Sequence, residues 1–94
     1  MGMGPIAAQI REKIMNRFAP VAFQLVDDSA KHHGHAGYDP RGETHFSLHL
    51  VSAAFEGLSR IERQRLVHAV LAEELAGRVH ALALQLKTPQ EVGR

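Results

Sequence analysis

Three short stretches of this chain alternate apolar and polar residues, and a longer stretch between the last two follows a helical period. That order restricts the fold more than any other feature. Residues 21–27 place Val21, Phe23 and Leu25 on one face of a short strand. Residues 44–51 do the same with Phe46, Leu48 and Leu50, against His45, Ser47 and His49. Residues 78–87 put Leu82, Leu84 and Leu86 on one side, with His80 at the strand's mouth on that same side, and Val79, Ala81 and Ala83 on the other. Ahead of this third strand, Ile61, Leu66, Val67, Val70, Leu71 and Leu75 form the buried stripe of a helix over 60–76. A strand, a helix and a further strand make a right-handed crossover, so the last two strands should pair in parallel beside an antiparallel hairpin.

The helix boundaries can be read from local chemistry. Ile6, Ile10, Ile14 and Phe18 recur every four residues with Arg11, Glu12, Lys13 and Arg17 between them, an amphipathic helix that Ala19-Pro20 stops. Ser59 with Glu62 forms a capping box for the second helix, and Gly77 stands where a helix exit tolerates positive φ. Thr88-Pro89-Gln90-Glu91 has the composition of a last helical turn. Residues 1–5 read as a disordered lead and 6–94 as one domain. The expected fold is α+β in the order α-β-β-α-β plus a short C-terminal helix, with two helices on one face of a mixed three-stranded sheet.

Composition narrows the chemistry. The 94 residues contain no cysteine, so disulfides, thiolate nucleophiles and all-thiolate metal sites are excluded, and any metal must be held by His or carboxylate. Eleven Lys plus Arg against ten Asp plus Glu leave a formal charge of +1, too little to steer the whole chain onto nucleic acid. No apolar run approaches the ~20 residues of a membrane span, and no secretory or transit signal opens the chain, which makes a cytoplasmic address the expectation. The chain carries no nucleophile elbow, no HExxH and no Gly-rich phosphate loop after a strand, so no enzyme is expected.

The stretch 29–43 lacks periodicity and is long for a hairpin connection, which marks it as a candidate site. It carries His32-His33-Gly34-His35, imidazoles that suit Zn, Cu, Ni and iron; the plain alternative is a solvated polar loop. Gly34-His35-Ala36-Gly37 spells the nucleic-acid clamp GxxG, but in a hairpin rather than between helices. At the mouth of the third strand His80 is either an edge-of-core residue or half of a two-His site completed from the loop. Arg60, Arg63 and Arg65, with His68, crowd the start of the second helix as a candidate phosphate-binding surface or a solvated face. Asp27-Asp28 reads as a loop-capping pair whose side chains diverge.

Several segments together resemble the BolA family: Ile10-Arg11-Glu12-Lys13-Ile14, Asp28-Ser29 with His32, Gly42-Glu43-Thr44-His45-Phe46, and Phe55-Glu56-Gly57. Arg63-Gln64-Arg65, Leu71-Ala72-Glu73-Glu74-Leu75 and Val79-His80-Ala81-Leu82-Ala83-Leu84 extend the resemblance over nearly the whole chain, from Ile6 to Pro89. It implies a class II KH-like fold and a partnership with a monothiol glutaredoxin and glutathione, in iron-sulfur cluster trafficking or iron homeostasis. It further implies a bridging 2Fe-2S cluster that is shared with the partner and not held by the isolated chain. Carried over by residue, the ligands would be His80 and His32, with His33 and His35 competing for the loop position. It also implies transcription regulation through Arg60, Arg63, Arg65 and their neighbours. Weak DNA binding and a homodimer stay open as further associations.

Overall fold

Helix α1, Pro5–Phe18, starts on a proline, whose missing N–H falls where a helix has no acceptor for it. The computed structural model describes residues 4–29 and 42–93 of the chain. Ala7, Ile10, Ile14 and Phe18 are the buried face of α1. The helix ends at Ala19, a non-glycine residue in the left-handed region at φ 44°, whose N–H reaches Met15 O at 3.1 Å while Pro20 prevents continuation.

Strand β1, Ala22–Asp27, runs antiparallel to β2, His45–Val51, and β2 runs parallel to β3, Ala81–Lys87, so the expected mixed sheet forms in the order β1-β2-β3. The register aligns Phe23 with Leu50 and Leu86, and Leu25 with Leu48 and Leu84. Against this face lie α1 and α2, Arg60–Val70, whose Val67 is fully buried. A 3₁₀ turn, Ala53–Phe55, joins β2 to the second helical segment and drives Phe55 into the core, its ring centroid 5.2 Å from that of Phe18. Buried Ser52 ties this corner together: its N–H donates to Lys87 O at 3.0 Å, and its hydroxyl donates to Phe18 O at 2.6 Å while accepting from Ala54 N at 3.1 Å.

Four local expectations change. Val21 precedes β1 and is 71% exposed, whereas Phe23 and Leu25 within β1 pack against the core. Ile61, on the first turn of α2, is 59% exposed. The second helix is broken at Leu71 (φ −103°, ψ 22°) into α2 and α3, Ala72–Ala76, although Leu71 N and Leu75 N still donate to Val67 O and Leu71 O. Gly77 ends α3 at φ −102° rather than at positive φ, with its N–H shared between Glu73 O and Glu74 O.

Helix α4, Pro89–Val92, has its own capping box between Thr88 and Glu91. Arg63 holds it in place: Nη1 and Nη2 donate to the Glu91 carboxylate at 2.8 and 3.2 Å, Nη1 also donates to Leu86 O, and Nε donates to Leu58 O. The hydrogen bond from Arg63, followed by that from the Thr88 N–H, lowers the Glu91 pKa from 4.5 to about 2. A depressed carboxylate pKa contributes stability above its ordinary value and loses it as the pH falls through the folded value. The contacts of α4 should therefore loosen between pH 4.5 and about 2. Amide NMR signals of residues 89–92 followed through this acid window will show it, and in a Glu91→Gln variant that pH dependence should vanish.

Candidate metal centre

The connection from β1 to β2 has a narrow, fully bonded neck. Asp27 Oδ1 accepts from Ser29 N at 2.9 Å and from Ser29 Oγ at 2.5 Å, and Oδ2 accepts from Glu43 N at 3.0 Å. Ser29 Oγ in turn accepts from Thr44 N at 2.9 Å and Thr44 Oγ1 at 3.2 Å. Gly42 and Glu43 take up left-handed φ of 77° and 64°, which turns the chain so that Gly42 O receives Arg78 Nε and Nη2 at 3.1 and 2.7 Å. Glu43 Oε2 accepts from Ala7 N at 3.0 Å, a carboxylate at the N-terminal end of α1 where the helix dipole favours negative charge. Asp27 does cap the loop, and Asp28 diverges from it to accept from the Ser47 hydroxyl.

Across from this neck, the chain leaving α3 enters β3 irregularly. Val79 N still donates to Glu74 O at 3.0 Å as part of the helix exit, and the Val79 side chain is buried. His80 N and Ala81 N then donate to one acceptor, Thr44 O, at 2.7 and 3.2 Å. Two successive N–H groups on one carbonyl shift the alternation by one residue. Regular β3 thus begins at Ala81 rather than at 78, and His80 is exposed instead of sharing the face of Leu82.

The ring facing His80 is His45, with centroids 6.1 Å apart and planes inclined by 35°. His45 is half-buried, and its Nδ1 lies 2.8 Å from Thr44 Oγ1. The sequence reading placed His45 only on the open side of the second strand. The signal was nevertheless present, since a parallel crossover starts both strands at the same end of the sheet, and the register sets His45 opposite Ala81. His32, His33 and His35 lie outside the described residues. Among the described residues no three His, Asp or Glu side chains converge as a metal site.

The arginines divide. Arg60 and Arg65 are exposed on α2, whereas Arg63 is spent on Glu91 and two carbonyls. An open groove of about 540 Å³ follows α2 and the outer edge of β3, lined by Arg60, Gln64, Gln85 and Lys87 among others. Among the described residues no helix is long and apolar enough to cross a membrane.

The family described as BolA-like protein matches residues 14–91. The chain is 50% identical over 91 residues to BolA-like protein 1 of Pongo abelii, covering 97% of this chain and 64% of that protein. It is 42% identical over 86 residues to the DNA-binding transcriptional regulator BolA of Escherichia coli (strain K12), covering 92% of this chain and 78% of that protein. The solved BolA domain of SufE1 from Arabidopsis thaliana superposes with a TM-score of 0.86 at 43% identity, covering 97% of this chain and all of that one; the corresponding curated relative is described as chloroplastic/mitochondrial. The chain thus spans less than two thirds of the length of the mammalian relative. Fold, motifs and these likenesses lead to one conclusion: the chain belongs to the BolA family.

Proposed function

We propose that this chain is a non-enzymatic adaptor that pairs with a monothiol glutaredoxin and shares a bridging 2Fe-2S cluster with it, in iron-sulfur cluster trafficking or iron homeostasis. The observation that carries this reading is the exposed His80 imidazole at the mouth of β3, its backbone fixed by the 2.7 Å bond to Thr44 O, in a chain that has imidazoles but no thiol. Two His on one iron and two thiolates on the other is an established ligand set for a 2Fe-2S cluster, and this donor set fits its imidazole half. His80 would hold one position and His32 the other, with His33 or His35 able to replace it. The glutaredoxin cysteine and glutathione would supply the thiolates. When bound, the cluster supplies an electron-accepting, exchangeable iron centre, and this chain's part is to orient imidazoles and close the site. A cytoplasmic setting suits that role; a relative from Arabidopsis thaliana is described as chloroplastic/mitochondrial.

The test mixes the purified chain with holo-glutaredoxin, with and without iron and glutathione, and reads visible absorption and heterodimer formation. The chain alone should hold no stable cluster and the mixture should be coloured. A stable cluster on the isolated chain would sink the reading.

A second reading, DNA-binding regulation, is favoured by the description of the Escherichia coli relative. With Arg63 engaged, Arg60, Arg65 and Lys87 are the cations this surface offers among the described residues. Three neutralised phosphates predict a log–log salt slope of about −3, and weak binding that fades toward physiological salt. Nanomolar affinity for random duplex at that salt would show instead that a wider surface is in use.

A further inference from the structure

We infer that the outer edge of β3 is a docking site for an extended acidic peptide segment of a partner protein, which adds to the sheet as a fourth strand. The inference is independent of the cluster reading, because it uses none of the histidines.

Three observations carry it. The first is the open main chain. Ala81 N donates to Thr44 O and Lys87 O accepts from Ser52 N, so the odd-numbered residues of β3 turn their peptide groups toward β2. Successive residues of a strand turn these groups to opposite sides, which points those of Leu82, Leu84 and Leu86 outward. Leu86 O agrees, since it is met by Arg63 Nη1 from α2 and not by a strand. β3 ends the strand order, and among the described residues nothing bonds the outward N–H and C=O of Leu82 and Leu84. The strand has no proline and no charge before Lys87, so its edge is an unblocked template for pairing.

The second observation is an apolar floor. Phe46, Leu48 and Leu50 of β2 are fully buried, whereas Leu82, Leu84 and Leu86, their register partners on the same face, stay half-buried. The groove between β3 and α2 runs over Leu84 and Leu86. Every second side chain of an added strand would cover what these leucines leave exposed, while its main chain bonds the edge. The third observation is charge. Arg60, Arg63 and Lys87 line the groove against one carboxylate, Glu91, which Arg63 already pairs. Arg60 also lines the hollow beside Ser47 and His49 on the helix-free face, so it stands at the rim of the edge. This excess of positive charge selects carboxylates in the incoming strand. Two unpaired-carboxylate positions suit a peptide; the Glu91 carboxylate and a formal charge of +1 disfavour the continuous phosphates of a nucleic acid.

The experiment follows backbone amide exchange and NOEs of the full chain by NMR. In the free chain the amides of Leu82 and Leu84 should exchange much faster than those of Ala83 and Gln85, which face β2. The probe is a blocked eight-residue peptide of alternating valine and glutamate, added to about 1 mM. It should slow exchange at Leu82 and Leu84 about tenfold and give cross-strand NOEs to β3. The same peptide N-methylated throughout, which keeps the carboxylates but cannot pair, and a valine–lysine peptide should each bind at least about tenfold more weakly. Arg60→Glu should weaken binding of the valine–glutamate peptide by a similar factor, and Arg60→Lys should keep most of it. Amide spectra of both variants establish that they are folded. The inference is overturned if the probe leaves the Leu82 and Leu84 amides unprotected, if the N-methylated or lysine peptide binds as tightly, or if folded Arg60→Glu binds like its parent. It is equally overturned if an eight-nucleotide oligothymidylate displaces the peptide at lower concentration, which would make the groove a nucleic-acid site. Protection of the same amides on raising the chain's own concentration would assign the edge to a second copy instead.

Discussion

A His80→Ala variant should fold like its parent and yield no coloured heterodimer with holo-glutaredoxin. The side chain is exposed, and the bond that matters to the fold, His80 N to Thr44 O, is made by the backbone and survives the substitution. An exposed replacement of this kind changes stability by roughly 0.5 kcal/mol or less. The proposed site, in contrast, loses the imidazole that the fold aims before any partner arrives. His32→Ala should be milder, because His33 and His35 stand beside it in sequence and can take its place; replacing all three should equal the loss of His80. Visible spectra of each variant titrated with holo-glutaredoxin, set beside thermal melts, separate these outcomes. A folded His80→Ala protein with the parental spectrum would return this residue to a mere surface role.

Phe55→Ala should be the most destabilising single change in the chain. Phe55 is fully buried, packs on Phe18 at the end of α1, and sits on the 3₁₀ turn that links the sheet to α2. Truncating a buried aromatic costs about 3–5 kcal/mol through lost transfer energy and the remaining cavity. A domain of this size has roughly 5–14 kcal/mol to lose, so the variant forfeits about a fifth or more of its stability, and its Tm should fall by about 15–30 °C. Phe55→Leu, which refills most of the space, should lose only about 1–1.5 kcal/mol. Urea unfolding with an unchanged m-value is the check. A Phe55→Ala loss below about 1 kcal/mol would mean that the core collapses around the gap instead of holding its shape.

Much of this architecture was legible because strand and helix periods differ and few topologies join them. Phe46, Leu48 and Leu50 face the core as their alternation required, and the crossover delivered the parallel β2–β3 pair. Ser59 caps its helix as its spacing to Glu62 indicated, and Thr88 caps α4 as its residue type and the following Pro89 indicated. What escaped were features decided by distant partners. Val79 and His80 exchanged roles because the chain leaving α3 completes a helix turn before joining the sheet, a choice made by carbonyls of Glu74 and Thr44 that no local pattern announces. Arg63 looked like one of three equivalent surface cations, yet only the folding back of α4 brings Glu91 within its reach. His45 gained its neighbour by the same kind of long-range register.

The fully bonded neck at Asp27, Ser29, Gly42, Glu43 and Thr44 has an evolutionary consequence. Among the described residues, its bonds are made by the two ends of the connection, by α1 and by Arg78. Among the described residues, the registration of β1 on β2 at this end is thus held from the ends of the connection themselves. Closing a loop twice as long costs only about 0.6 kcal/mol more. Insertions, deletions and exchanges between Ser29 and Gly42 should be absorbed with the sheet intact, so this segment is free to diversify ligands and partners at a pace the rest of the domain cannot match. A cassette of polar residues grafted there, even one of doubled length, should melt within a few degrees of the parent.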